Sequence, residues 1–141
     1  MKTRFTPLVK IKKNNLDKCE RDLLQANEDK KNAQTALDEA YKQLKEINTP
    51  TQGIISDMLQ ERTILQIQRN IIQKNQSWLN FASQQADQFK EILRKAAIEY
   101  EKYKYLETKE IEVILKKRSQ DEMKLLDESA LHSYMYRQGN L

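Results

Sequence analysis

Residues 9 to 47 carry a stripe that an isolated helix cannot bury. Stepping by threes and fours, the positions read Val9, Lys12, Leu16, Cys19, Leu23, Ala26, Lys30, Ala33, Leu37, Ala40, Leu44 and Ile47. All but the two lysines are apolar or small, and almost everything between them is charged or an amide. A repeat averaging about 3.5 residues marks a coiled-coil seam, because each seam side chain must enter a hole on a facing helix. The stripe also alternates in size. Val9, Leu16, Leu23, Leu37 and Leu44 are large, whereas Cys19, Ala26, Ala33 and Ala40 are small. Small residues at alternate layers let two backbones approach closely, so the sequence predicts a tight helix pair.

Composition supports an elongated helical chain. With 33% charged residues, two glycines and two prolines in 141 residues, there is little turn chemistry for a sheet and too much charge for a deep core. No apolar run reaches the roughly 18 to 20 residues that span a bilayer, so no membrane insertion is expected. The opening residues lack the apolar segment of a signal peptide, and the expected location is cytoplasmic. Cys19 is the single cysteine, which excludes an intrachain disulfide and leaves it acting as a small apolar seam residue.

Thr6 and Pro7 form a helix start, with Thr6 capping free N–H groups and Pro7 at the first helical position. The first helix is expected over about 7–47. Pro50 and Gly53 place a corner at 48–55, since Pro50 pushes Thr49 out of helical geometry and Gly53 accepts positive φ. A second helix is expected over about 56–131, followed by a fraying tail at 132–141. From Leu79 to Tyr103 its eight heptad positions are all apolar. The expected fold is therefore all-α, a single coiled-coil domain made of a long antiparallel two-helix hairpin with a longer second helix.

A short corner docks the seams so that Leu23 meets Ala82, Ala26 meets Leu79, Ala33 meets Ile72 and Ala40 meets Leu65. Large faces small in each layer, and Lys30 meets Asn75 as a polar layer that fixes register. A competing register pairs Ala26 with Leu93 and leaves Lys30 against Phe89. In the preferred register the first helix begins near Tyr100, and about thirty residues of the second helix project alone, as a chain rising ~1.5 Å per residue implies.

Catalytic chemistry finds no foothold. His132 is the only histidine, Cys19 lies far from it in sequence, and two glycines cannot build a phosphate loop. No enzyme activity, cofactor or metal is expected, so function must come from surfaces. One surface is apolar surplus. A seam needs only Met58, Leu65 and Ile72 from residues 54–72, yet Ile54, Ile55, Leu59, Ile64, Ile67 and Ile71 are also apolar, among many amides. Surplus of this kind marks a partner site. The second is basic: Lys2, Arg4, Lys10, Lys12 and Lys13 precede the first acid, and Lys109, Lys116, Lys117 and Arg118 lie on the expected projecting helix. Net charge is only +4, and no nucleic-acid reading motif occurs, so nucleic-acid binding is not the expected use.

The opening Arg4-Phe5-Thr6-Pro7-Leu8-Val9-Lys10, the long heptad helix, the Gly53-Ile54 corner and the longer second helix resemble the flagellar export protein FliJ family. The resemblance implies a cytoplasmic stalk peripherally associated with the inner-membrane type III export apparatus, similar to the gamma-subunit coiled coil of rotary ATP synthases. It implies association with the export ATPase ring, the export gate protein FlhA and export chaperones, and a monomer when isolated. Counted from Gly53, the family's gate-binding positions fall on Leu65, Arg69, Ile72 and Gln76. Together with Ile64, Ile67 and Ile71 they make the expected gate surface, and the two basic clusters make the expected ring surface. Injectisome stalk proteins look alike, and a generic coiled-coil scaffold or tether is a further alternative.

Overall fold

The structure is a computed structural model and describes residues 1–47 and 55–139. It is all-α: α1 (Thr6–Glu46) and α2 (Ile55–Gly139) pack against each other, and α2 is the longer at 85 residues against 41. The corner expected at 48–55 falls, apart from Ile55, outside the described residues.

The start of α1 is built differently from the expectation. Thr3, not Thr6, does the capping: its Oγ1 accepts the Phe5 N–H at 3.1 Å. Thr6 already lies in the helix and its Oγ1 accepts the Thr3 N–H at 2.9 Å. Pro7 follows in the first turn, where a missing N–H costs nothing.

The second correction is at the other terminus. The helix expected to end near residue 131 runs to Gly139. Every residue from 115 to 139 is exposed, so packing does not hold it. Lysines, leucines, glutamates and methionines of good helix propensity continue there without a proline or glycine until Gly139.

The chain divides into two compact units, Asn15–Ala97 and Met1–Asn14 with Ile98–Leu141. In the first, α1 contributes Leu16, Cys19, Ala26, Ala33, Leu37 and Ala40 to the core, and α2 contributes Ala82, Ala86 and Ala96. Alanines dominate, and Ala33 is the most completely covered of them at 0% exposure. The helices approach closely because these layers carry so little side chain.

Register departs from both expectations. The Gln68 amide donates to the Ala40 carbonyl at 2.9 Å and to Gln43 Oε1 at 3.4 Å. The Asn75 amide donates to the Ala36 carbonyl at 3.5 Å. Asn75 thus sits nearly a heptad along α1 from Lys30, between the two registers drawn from side-chain size. Lys30 is exposed, so no lysine–amide layer exists. Cysteines replacing Ala40 and Gln68, in a chain with Cys19→Ser, are expected to cross-link within one molecule. The pair Ala26 and Leu79 is expected not to, being off register by about 9 Å at ~1.5 Å per residue. Mapping of the cross-linked peptides by mass spectrometry decides between them.

In the other unit, the N-terminal segment and α1's opening turns pair with α2 from Glu99 onward. Arg4 reaches Glu110 at 3.4 Å and Lys12 reaches Glu99 at 3.6 Å. Lys12 lies over the Tyr103 ring and Lys13 over Tyr100. Leu106, Ile111 and Ile114 are half-buried there. Contact with the N-terminal segment thus reaches Glu110, and α2 is exposed throughout from 115 to 139.

Candidate partner-binding surfaces

The first surface grows from helical periodicity. Ile64, Ile67 and Ile71 recur at the spacing of one helix stripe, one position before the seam residues Leu65, Gln68 and Ile72. The structure turns them outward: Ile64 is 52% exposed, Ile67 53% and Ile71 40%. Leu65 and Ile72 are half-buried towards α1, while Arg69 and Gln76 are exposed. Leu59, Thr63, Gln66 and Arg69 join Leu65 and Ile67 around an open groove. Met58 and Leu59 extend the apolar area towards the start of α2, whereas Ile54 lies outside the described residues. The seven residues expected at the gate surface thus fall on neighbouring stripes of one helix. Three isoleucines and two polar side chains are available to a partner, and Leu65 and Ile72 serve the seam as well.

The basic clusters divide by the company they keep. Arg4 and Lys12 face glutamates across the helix pair, and Lys109 faces Glu112 at 3.4 Å along its own helix. Lys13 also has partners. Lys2, Lys10, Lys116, Lys117 and Arg118 are exposed and make no ion pair among the described residues. The cations still available to an acidic partner are those five, fewer than the sequence count implied.

Titration is perturbed at Glu91, where hydrogen bonds from Arg94 hold the carboxyl below the usual carboxylate range. A lowered carboxylate favours the fold above its ordinary range and loses that contribution as acid protonates it. Both side chains are exposed, so the effect on stability is small.

Sequence reasoning missed a third surface. Trp78 and Phe81 lie on the stripe that continues from Ile71, and the structure leaves them 43% and 60% exposed. With Phe89 they wall a groove floored by Ala26 and Ala82 and edged by Asp22, Gln25, Asp29 and Gln85. The available signal was two exposed aromatics at i and i+3 beside an alanine layer. Its other wall comes from α1, and only the true register brings Asp22 and Asp29 alongside.

No group of histidine, cysteine, aspartate and glutamate that could hold a metal occurs among the described residues. No helix there is long and apolar enough to cross a membrane. An alanine-lined coiled coil whose conspicuous features are exposed apolar and charged faces is, as a class, a protein that works by contact. The flagellar FliJ protein family matches residues 1–139, and the chain belongs to that family. This makes it a component of the flagellar export apparatus, in a family that is non-catalytic. Comparisons with curated proteins and with solved structures gave no match.

Proposed function

We propose that the protein is a non-enzymatic stalk and assembly factor that couples the export ATPase ring to the export gate and handles export chaperones. It works in the cytoplasm, peripherally associated with the inner-membrane apparatus. The gate protein, FlhA, docks on Ile64, Ile67 and Ile71 with Arg69 and Gln76 beside them, while Leu65 and Ile72 hold the stripe in place from the seam. The ring is met by the exposed cations Lys2, Lys10, Lys116, Lys117 and Arg118.

The observation that carries this reading is the exposed isoleucine stripe in a FliJ family chain. Three β-branched apolar side chains at one helical spacing, each 40% or more exposed, are poorly served by water. Changing all three to glutamine tests it. Helical content by circular dichroism is expected to stay at the wild-type level, because none of the three is buried. Removing three apolar contacts of roughly 1 kcal/mol each from an interface lowers gate affinity by about a hundredfold or more, and swimming with it. Ring binding is expected to persist, since the basic residues belong to the other compact unit. Wild-type gate affinity in the folded triple variant would overturn the assignment.

A further inference from the structure

We propose that the groove beside Trp78 receives one amphipathic helix of a partner, whose apolar seam is flanked by basic side chains seven residues apart. Trp78 and Phe81 continue the stripe of Ile71, but none of Ile64, Ile67 and Ile71 lines this groove, and the proposal does not rest on the gate assignment.

Shape selects a helix. The groove lies between two packed helices, and its α2 wall advances through Trp78, Ala82, Gln85 and Phe89, steps of four, three and four. A furrow with that periodicity accepts the knobs of a third helix. Alanines at Ala26 and Ala82 keep its floor low, so an incoming side chain can sink between the aromatic walls.

Charge selects the kind of helix. Among the residues lining the groove there are two carboxylates and no lysine, arginine or histidine. Asp29 accepts a hydrogen bond from the Gln25 amide at 3.0 Å, which orients it without neutralising it. Asp22 makes no ion pair among the described residues. The two aspartates are two helical turns apart, about 10 Å along α1 at ~1.5 Å per residue. An incoming helix therefore matches both with lysines or arginines one heptad apart. Its apolar residues cover Phe81 and Trp78, which are 60% and 43% exposed. The aromatic faces add attraction for a cation that passes over them.

Trp78 is the only tryptophan, so the site reports on itself. The test uses two synthetic helical peptides with the same leucine seam, one carrying lysines seven residues apart at its flanks and the other glutamates. Each is titrated into the full chain while Trp78 emission is followed. The lysine peptide is expected to shift the emission to the blue and saturate. The glutamate peptide is expected to bind at least about tenfold more weakly, a difference of about 1.4 kcal/mol in binding. Asp22→Lys with Asp29→Lys is expected to reverse that preference. If the double lysine variant loses helical content, Asp22→Asn with Asp29→Asn replaces it and is expected to abolish the preference. Raising salt is expected to narrow the gap between the peptides. Equal binding of both peptides, or no saturable shift with either, overturns the proposal. So does a blue shift that grows with protein concentration alone and accompanies a doubled sedimenting mass, because a second copy would then be the occupant.

Discussion

Leu37→Ala is expected to destabilise the chain by about 2 to 5 kcal/mol, the usual span for truncating a buried leucine. Leu37 is 4% exposed and is one of the two buried leucines in a core made mainly of alanines. A seam of small residues has few large side chains to share the loss, and two helices clamped by the neighbouring alanine layers cannot close around the hole. Against a total stability of roughly 5 to 15 kcal/mol, the loss is a large fraction of the whole. Urea unfolding followed by circular dichroism measures it. The midpoint falls while the slope stays constant if the native pairing is retained. An unchanged midpoint would mean that Leu37 does not anchor the seam.

Ala33→Leu is expected to do comparable harm by the opposite route. Ala33 is fully covered, so three added carbon atoms have no space to enter. They must push the helices apart or force strained rotamers, at about 1 to 3 kcal/mol. Gln34→Leu is the control, because Gln34 is exposed and its amide only bonds Asp38 along the same helix. That exchange is expected to stay within about 0.5 kcal/mol of wild type. Thermal melts of the two variants side by side read the contrast, and equal melting temperatures would remove the close-packed alanine seam.

The alanine layers were legible because alanine repeated at heptad spacing among long polar residues has few explanations other than close approach. Cys19, Ala26, Ala33 and Ala40 are all buried where the stripe put them. Register was not legible, and the reason is chemical. Matching large to small side chains leaves several registers nearly equal, and the polar layer was sought between the side chains of Lys30 and Asn75. In the folded pair, Asn75 and Gln68 instead donate to backbone carbonyls of Ala36 and Ala40. Every residue has a carbonyl, so the sequence carries no mark of which one is used. Lys30 gains more from keeping its ammonium in water than from any buried partner. The isoleucine surplus was visible because three apolar residues exceed what one seam requires. The aromatic groove was not, because it exists only once α1 supplies its acidic edge. The helix after residue 131 was underestimated because a chain terminus was expected to fray, although local propensity sustains it.

The two amides that reach across to α1 have a mechanical consequence. Gln68 and Asn75 are one heptad apart, and each holds a carbonyl on the facing backbone. Apolar layers resist separation well but resist shear poorly, since sliding by a heptad replaces one alanine with another. The amides act as two pegs against that slide. Displacing α2 along α1 strands the buried Gln68 amide part-way, at about 1 to 3 kcal/mol for its lost partner, and the half-buried Asn75 amide at less. A push or pull applied to one helix is therefore passed to the other as motion of the pair and is not dissipated as creep between them.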